Sequence, residues 1–547
     1  MAADGVAGPG PAGTAARSPG SAGSSTGVTV PPAGWPLATV RQLIERQVEQ
    51  RPEAVYAVGT DGGALTCREL GECCRAVVRR LEALGTRPGD HVSLVMPNGL
   101  GTLTLLLGAL YGGRCVNPVN LLSQPAQMRY VLEHADARIV LVSPEWAARV
   151  REMVASMPRA MEVVEVDPEQ PFTTQTPAAT TDGAGGAADT AAEGGAGGGT
   201  PESLALLMYT SGTTGKPKGV MLTQANLAAS AQAISAEHGL GSQDRVLAVL
   251  PLFHINAFAV TMLAPLAHGG SLVMPPRFSA AAFWQQAIEH RCSWINVVPT
   301  IISYLLEGEA PPPGMLRGIR FCRSASAALP PEHHRAFEQK FGIGIVETMG
   351  LTETVAPSFS NPMQPQARRI GSVGRASGCE ARVADPSGRT LPDGETGEIL
   401  LRGPQVMKGY YKNEEATRAA FHDDGWLRSG DLGHRDADGF FFVTGRIKEL
   451  IIKGGENIAP REIDEAILAH PAILDAAAVG IPDRHYGQDI MACVVLRDGH
   501  ACSEDELRAF CLQALGRYKM PRIIRFVPEL PRGPSGKVQR LKLLDLL

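Results

Sequence analysis

The sequence lacks several features that would have pointed to particular classes of protein. It has no apolar run near the roughly 18 residues that a membrane-spanning helix needs. It has no basic stripe interleaved with aromatic residues, and its formal net charge of −5 gives no reason to expect nucleic-acid binding. Its ten cysteines include no CxxC pair, so neither a zinc site nor a redox motif is indicated. Buried, reduced thiols in a cytoplasmic protein are expected instead.

The amino-terminal segment also lacks the parts of a secretory signal. Residues 1–34 have neither a basic start nor an apolar stretch, and they are rich in Gly, Ala, Pro and Ser. This composition predicts a disordered tail. A second low-complexity segment, residues 173–200, is rich in Gly and Ala and predicts a flexible surface insertion.

The patterning that is present predicts an α/β fold in the first part of the chain. At 547 residues the chain is too long for one core, so two or more domains are expected. Buried strands are predicted at "HVSLVMP" (91–97) and "ARIVLVS" (137–143), and an amphipathic helix at residues 65–84. Such alternation predicts packed, mostly parallel sheets with helices. We expect this pattern to continue to about residue 440.

The pattern changes after residue 445 and predicts a second, smaller unit. The predicted elements are a helix at 460–470 with Pro in its first turn, strands at 475–481 and 489–497, and a helix at 504–515. We therefore expect a large N-terminal domain over residues 35–445 and a small, mobile α+β lid domain over residues 446–547.

One loop carries an unusual combination of residues. "YTSGTTGKPKGVMLT" (209–223) joins glycines, hydroxyls and two lysines, directly after the apolar run 204–208. Glycines let backbone N–H groups converge on an anion, while hydroxyls add donors and lysines add charge, so the loop predicts phosphate binding. It is not a Walker A loop, because Pro217 stands where Ser or Thr must follow the lysine. For this motif alone, a Gly/Thr-rich surface turn remains the alternative.

The loop resembles the signature loop of the adenylate-forming enzymes, the family of acyl-CoA synthetases, firefly-type luciferases and peptide-synthetase adenylation domains. Five further motifs of that family follow in order: "PLFHI" (251–255), "ETMGLTET" (347–354), "RSGDLG" (428–433), "GRIKELIIKGGENIAPREID" (445–464) and "PSGKVQR" (534–540). The resemblance implies a carboxylate that attacks the α-phosphate of ATP, giving an acyl-adenylate and pyrophosphate. A thiol, expected to be coenzyme A, then displaces AMP, and Mg²⁺ is the implied metal cofactor.

The resemblance also implies which residues bind the nucleotide. Those expected around the phosphates are Thr210, Ser211, Gly212, Thr213, Thr214, Gly215, Lys216 and Lys218, and those around adenosine are Ser326, Ala327, Met349, Gly350, Asp431 and Arg446. Thr352 would donate to the α-phosphate and Glu353 would help to hold Mg²⁺, with an ordinary helix-capping pair as the alternative. Asp431 would accept both ribose hydroxyls, with a surface ion pair as the alternative. Met349 departs from the family, because many relatives carry Tyr or Phe there, although a thioether can also pack against a base.

The small domain contributes the remaining residues that the resemblance implies. Lys537 would bridge carboxylate and α-phosphate oxygens during adenylation. Lys448 resembles the hinge at which relatives rotate this domain, after which Gly454 and Gly455 would face the thiol arm of coenzyme A. His254 resembles the histidine that gates the acyl pocket, and a buried core histidine is the alternative.

The acid is predicted from polar residues in the expected acyl pocket, among them Arg323, Ser324 and Asn256. A long apolar tail would leave these buried groups without partners. Residues 277–284 and 321–329 also resemble oxalate- and related small-acid CoA ligases. We therefore expect a short, polar or anionic acid such as oxalate, malonate or sulfoacetate, with Arg323 as its counter-ion. Alternatively, Arg323 points to solvent or pairs with Glu347.

Two other functions remain open from the sequence. A stand-alone adenylation enzyme would load a separate carrier protein, but no carrier domain follows Lys537, which favours coenzyme A. A non-catalytic nucleotide-binding relative is the second alternative. The presence of Glu353, Asp431 and Lys537 argues against it, because a degenerate relative would be expected to have lost at least one of them.

Overall fold

The computed structural model describes residues 38–172, 198–210, 216–533 and 537–547. The predicted tail (1–34), most of the predicted insertion (173–197) and the predicted phosphate-binding residues Ser211–Gly215 lie outside the described residues. Within the described ranges, no helix is long and apolar enough to cross a membrane.

Five helices of the described residues begin at a side chain that caps the first turn. In chain order they are α1 Val40–Gln50, α2 Cys67–Ala83, α3 Leu100–Tyr111, α4 Pro125–His134, α5 Pro144–Ala155, α6 Gln224–Glu237, α7 Ala264–His268, α8 Ala280–Glu289, α9 Pro299–Glu307, α10 Pro331–Phe341, α11 Glu414–Ala420, α12 Pro460–Leu468 and α13 Glu504–Lys519. A π-helix spans Ala257–Leu263, and 3₁₀ turns lie at Thr352–Thr354, Pro365–Ala367, Ile447–Glu449 and Arg540–Leu546. The five capped helices are α1, α2, α6, α11 and α13. Thr66 caps α2 with a reciprocal bond to Glu69, which explains why the helix predicted at 65–84 starts at Cys67.

The strands are distributed over four sheets. In chain order they are β1 Val55–Gly59, β2 Ala64–Thr66, β3 His91–Val95, β4 Cys115–Pro118, β5 Ile139–Val142, β6 Glu162–Glu165, β7 Leu204–Thr210, β8 Lys218–Thr223, β9 Arg245–Leu247, β10 Ser271–Met274, β11 Trp294–Val297, β12 Phe321–Ser324, β13 Ile345–Met349, β14 Phe359–Ser360, β15 Arg375–Ala376, β16 Glu380–Ala384, β17 Gly397–Arg402, β18 Gly409–Tyr410, β19 Leu427–Arg435, β20 Phe441–Arg446, β21 Ile451–Lys453, β22 Glu456–Ile458, β23 Ile473–Asp483, β24 Gly487–Leu496 and β25 Ile523–Phe526.

Two of the sheets are mostly parallel, as the sequence predicts. One has the order β15-β14-β13-β12-β11-β9-β10-β1-β2, and its central strands run parallel. The other has the order β18-β8-β7-β4-β3-β5-β6 and contains both strands predicted at 91–97 and 137–143, paired in parallel as β3 and β5. Apolar helices such as α3, all of whose residues are buried, pack between these sheets. The predicted α/β fold class is confirmed.

The continuation of the α/β pattern to residue 440 is wrong in detail. Residues 380–446 contain an antiparallel sheet of order β16-β17-β19-β20, with no helix between β16 and β17. The connections explain the difference, because Gly439 adopts positive φ in the short turn that joins β19 to β20, and Gly388 and Gly394 adopt it in turns of the helix-free connection 385–396 between β16 and β17. These turns leave no room for the crossover that a parallel pair requires.

The carboxyl-terminal part forms its own layer. Strands β21 to β25 make one sheet, and helices α12 and α13 pack on it around a separate apolar cluster that includes Ile451, Ile463 and Leu507. All four elements predicted between residues 460 and 515 are present. The domain border between residues 445 and 446 stays a prediction.

Candidate active site

A cavity of about 520 Å³ lies between the large sheets and the carboxyl-terminal layer. Of the residues predicted to form the site, its wall contains Ser326, Ala327, Met349, Gly350, Asp431, Arg446 and Lys537. The fold therefore gathers residues from five separate segments of the chain around one space. Helix α12 and the ends of β23 and β24 close the far side of this cavity.

An aspartate and an arginine face each other at the cavity wall. Strands β19 and β20 pair Asp431 with Arg446, and the Arg446 Nε lies 2.8 Å from Asp431 Oδ1. Asp431 Oδ2 is buried and has no hydrogen-bond partner. Burial raises the pKa of Asp431 above its ordinary value, although Arg446 and Lys537 oppose this change. A buried acceptor without a donor fits a hydroxyl-bearing ligand such as ribose.

Lys537 extends into the same cavity from the carboxyl-terminal layer. The Gly533 N–H donates to the Lys537 carbonyl at 2.8 Å, which holds the backbone of this residue. The Lys537 side chain opens to the cavity. Its pKa lies below the ordinary value, because surrounding protein atoms remove part of its hydration and the Arg446 guanidinium repels its charge. The carboxylates of Asp431 and Glu353 act in the opposite direction. The ammonium is therefore close to both predicted nucleotide-site carboxylates.

Glu353 lies in a 3₁₀ turn beside the cavity, outside its wall. Its carbonyl accepts a bond from the Met407 N–H at 2.7 Å, and its Oε1 accepts one from the Tyr410 hydroxyl at 2.9 Å. Thr354, rather than Thr352, makes the side-chain bond that caps this turn, accepting from the Leu351 N–H at 3.1 Å. The capping alternative for Thr352 therefore has no support in the hydrogen bonds.

Strands β7 and β8 hold the two ends of the predicted phosphate loop. They pair Thr210 with Lys218 across the start of the loop. The Lys218 Nζ lies 4.8 Å from the centre of the Tyr410 ring, and the Lys216 Nζ lies 5.7 Å from that of Tyr130. Both lysines are thus seated on aromatic faces at the base of the loop.

The predicted adenine side of the cavity contains a strained turn and a tight contact. Ser326 has φ +76°, a region that non-glycine residues seldom adopt, and its hydroxyl accepts a bond from Asn256 Nδ2 at 3.2 Å. At Gly350, a Cβ would lie 2.7 Å from the Ala356 Cα, so only glycine fits there. Met349 is half-buried in the wall, where a base could pack against its thioether.

Arg323 lies behind this wall, completely buried. Its Nη1 donates to Asn256 Oδ1 at 2.7 Å and to Asn296 Oδ1 at 2.8 Å, while its Nε and Nη2 have no partner. Burial lowers the pKa of Arg323 to about 9. Among the described residues, no ion pair includes Arg323, so it neither points to solvent nor pairs with Glu347. It approaches the cavity only through Asn256, which contacts Ser326 in the wall.

The other predicted residues lie outside the cavity wall. Ser324 follows Arg323 on β12 and so faces the opposite side of the sheet, away from Asn256. The His254 ring packs against Phe253, with ring centres 4.8 Å apart. Lys448 lies in the turn that follows β20.

The two glycines of the predicted CoA-facing loop form the tip of the β21–β22 hairpin. Gly454 and Gly455 have φ +57° and +87°, and neither lines the cavity. The structure therefore shows the arrangement in which Lys537, and not this hairpin, faces the nucleotide-site residues.

Two residues at the site escape sequence reasoning. Tyr410 contacts Glu353 from 57 positions away, and no local pattern marks it. Glu347 lines the cavity, is buried, and has its pKa raised to about 7 by that burial. The sequence suggests for Glu347 only a pairing with Arg323, since the polarity of its surroundings depends on distant strands.

Comparison with known proteins identifies the family that this site belongs to. Residues 44–411 match the family model of the AMP-binding enzymes, and residues 462–537 match that of the AMP-binding enzyme C-terminal domain. The chain therefore belongs to the AMP-binding enzyme family, and the predicted resemblance to adenylate-forming enzymes is confirmed.

Individual relatives match almost the whole chain. A sulfoacetate–CoA ligase from Cupriavidus necator is 55% identical over 511 residues, covering 93% of this chain and 97% of that protein. An oxalate–CoA ligase from Arabidopsis thaliana is 34% identical over 470 residues, covering 85% and 90%. The crystal structure of ATP-bound MatB from Rhodopseudomonas palustris superposes with a TM-score of 0.83 at 30% identity, covering 93% and 99%.

Proposed function

We propose that this chain is an AMP-forming CoA ligase for a short carboxylic acid with a second anionic group, sulfoacetate being the first candidate. The reaction class, acyl-CoA formation from ATP through an acyl-adenylate, is the one predicted from the sequence and is confirmed by the family and its relatives. ATP, Mg²⁺ and coenzyme A are its reactants and cofactor. The choice of acid is the proposal, and the buried Arg323 carries it.

A buried guanidinium without a carboxylate is costly, because its charge has lost water and gained no opposite charge. In Arg323 the unused donors are Nε and Nη2, the adjacent pair on one edge of the group. This edge can bind two oxygens of a carboxylate or sulfonate side by side. An acid with a second anionic group would therefore supply the negative charge and the acceptors that Arg323 lacks, whereas an apolar tail would leave the guanidinium unpaired.

The relatives support the same chemistry. Sulfoacetate and oxalate both carry a second acidic group, and the ligases with these names are 55% and 34% identical to this chain. The higher identity favours the sulfonate. Two amides, Asn256 and Asn296, hold the opposite nitrogen of Arg323 and so fix the plane of its guanidinium.

We assign roles to the other residues from the family resemblance, and for several of the described ones their placement supports the assignment. Asp431 accepts the ribose hydroxyls through Oδ2, with Arg446 holding Oδ1, and Ser326, Ala327, Met349 and Gly350 surround the base. Lys537 neutralises charge that develops as the carboxylate attacks the α-phosphate, together with Thr352. Glu353 would hold Mg²⁺, which screens the phosphate charge. Thr210, Lys216 and Lys218, with residues 211–215, bind the phosphates.

The remaining roles concern the second half-reaction and the location of the enzyme. His254 would gate the acyl pocket, and rotation at Lys448 would bring Gly454 and Gly455 to the thiol of coenzyme A. We also propose a cytoplasmic location. All ten cysteines lie among the described residues, none is in a disulfide, and nine are buried, which suits a reducing compartment.

The test is pyrophosphate release from ATP and Mg²⁺ with a panel of acids, with and without coenzyme A. Sulfoacetate, malonate and oxalate should support CoA-dependent turnover, and acetate, benzoate and octanoate should be poor substrates. Arg323→Gln should lower kcat/KM for sulfoacetate about a hundredfold, the loss expected for a buried ionic contact, with little change for acetate. A preference for benzoate or octanoate, or an equal loss for acetate, would contradict the proposed acid.

A further inference from the structure

Two successive tyrosines on strand β18 and its continuation bind two different carboxylates. The Tyr410 hydroxyl donates to Glu353 Oε1 at 2.9 Å, and the Tyr411 hydroxyl donates to Asp136 Oδ2 at 2.8 Å. Successive residues of an extended chain point to opposite faces, so the two contacts are separate. The two carboxylates also differ in whether a cationic side chain is paired with them. Asp136 has cationic partners, among them Lys412, whereas the ion pairs of the described residues include none with Glu353.

The segment that carries Tyr410 pairs with β8, the strand that follows the phosphate loop. Gly409 and Tyr410 pair with Met221 and Val220 of β8 in antiparallel register. The same segment holds the backbone of Glu353, because the Met407 N–H donates to its carbonyl at 2.7 Å. Both the main chain and the side chain of Glu353 are therefore set by residues 407–410.

The geometry points to Tyr410 as a positioning residue that orients the Glu353 carboxylate toward Mg²⁺ and couples it to Lys218. This inference rests on the proposed function, in which Glu353 holds the metal. A hydroxyl that occupies Oε1 fixes the plane of the carboxylate and leaves the lone pairs of Oε2 to a cation. The coupling runs through the Tyr410 ring, which has the Lys218 ammonium 4.8 Å from its centre.

The structure offers a matched pair of variants to test this role. Tyr410→Phe removes the hydroxyl and keeps the ring beside Lys218, while Tyr411→Phe removes the equivalent hydroxyl from the opposite face. Calorimetric titration of the full chain with ATP, once with Mg²⁺ and once with EDTA, measures how much the metal improves ATP affinity. Loss of a partner that orients a metal ligand typically weakens metal binding about 10–100-fold.

We expect Tyr410→Phe to reduce the Mg²⁺-dependent gain in ATP affinity by about tenfold and to leave binding in EDTA unchanged. Tyr411→Phe should bind as the wild type does in both conditions. Glu353→Gln should remove most of the metal-dependent gain. Thermal melting of each variant checks that the fold is kept. A general loss of stability would lower ATP affinity in EDTA as well, so it would not explain a change seen only with Mg²⁺.

Three outcomes would overturn parts of this account separately. If Tyr410→Phe retains the full gain while Glu353→Gln loses it, Tyr410 has no positioning role and the proposed function stands. If both tyrosine variants lose the gain equally, the effect belongs to β18 as a whole and the specific role of Tyr410 is wrong. If Glu353→Gln retains the gain, the metal role of Glu353 itself is wrong.

Discussion

Arg446 and Arg323 are two cations in the same candidate site, and the protein treats them in opposite ways. The Arg446 side chain is 46% exposed, sits at the cavity wall and is paired with Asp431. Arg323 is completely buried and is held by two amides, without a carboxylate. The first charge is compensated before any ligand arrives, so it mainly orients. The second is uncompensated, so it can discriminate between acids by whether they bring an opposite charge.

The same contrast extends to the neighbouring residues. Lys537 and Asp431 share the open cavity, where Lys537 is exposed and the buried Asp431 is paired with Arg446. Glu347 lies on the strand next to that of Arg323, yet its register partner is Ser324, and so it faces away from Arg323. A one-residue offset between these strands would have created a buried ion pair and cancelled the charge that we assign to the acid.

The largest effect is expected at the open cavity, from Lys537→Ala. Formation of the acyl-adenylate should fall about 10²–10³-fold, because a preorganised charge at the transition state is lost. Conversion of a pre-made acyl-adenylate to the thioester should be nearly unchanged, since that step does not need Lys537 in the cavity. Pyrophosphate exchange and single-turnover thioester formation measure the two steps.

Lys542→Ala is a suitable control for that experiment. Lys542 is exposed and lies in the 3₁₀ turn Arg540–Leu546 that follows Lys537, but it is not in the cavity wall. Both steps should keep wild-type rates in this variant. Equal losses of both steps in Lys537→Ala would contradict a role confined to adenylation.

A smaller effect is expected from the titration of the buried Arg323 guanidinium. Burial lowers the pKa of Arg323 to about 9, and a bound anion favours the charged guanidinium. The affinity for the second anionic group should therefore be complete below this pKa and be lost as pH rises through it. The ratio of KM for sulfoacetate to KM for acetate should rise above pH ~9, by up to tenfold per pH unit. Taking the ratio cancels titration of Lys537, which both acids share.

Arg323→Gln supplies the control for this pH dependence. It has no group that titrates in this range, so its KM ratio should stay flat. If the KM ratio of Arg323→Gln equals that of the wild type at every pH, the guanidinium does not meet the acid, and the contrast between the two arginines is structural only.

The smallest effect is expected on stability, from Glu347→Gln. Burial raises the pKa of Glu347 from 4.5 to about 7, so the folded state favours the protonated form. The wild type should lose stability as pH rises from about 4.5 to 7 and then level off, by at most about 3 kcal/mol. Glu347→Gln cannot ionise and should be more stable than the wild type at pH 8, but not at pH 4.

Chemical unfolding at these two pH values would measure the difference. Glu289→Gln, which changes an exposed carboxylate at the end of α8, should show no such pH-dependent gain. A Glu347→Gln variant that is less stable at pH 8 would mean that the ionised carboxylate has a stabilising partner in the folded state, and so that burial does not favour its protonated form.

Much of the fold could be predicted because it depends on local order in the chain. The strands at β3 and β5 are short apolar runs, and α2 has an amphipathic pattern that begins at a capping threonine. The pattern does not predict the antiparallel sheet over residues 380–446, because its strands resemble those of the parallel sheets in sequence. Conformations of single glycines decided that topology, and no periodicity reports them.

The sequence by itself determined the family and the reaction class, and it predicts the members of the nucleotide site, since those residues lie in contiguous motifs. Only the tertiary structure decided which charged groups are buried and which of them have partners. Whether Arg323 is buried, which of its nitrogens lack partners, and which hydroxyl reaches Glu353 all depend on strand register and on residues tens of positions away. Motifs identify which groups take part in the chemistry, but desolvation and pairing are properties of the packed molecule, and they set what those groups can bind.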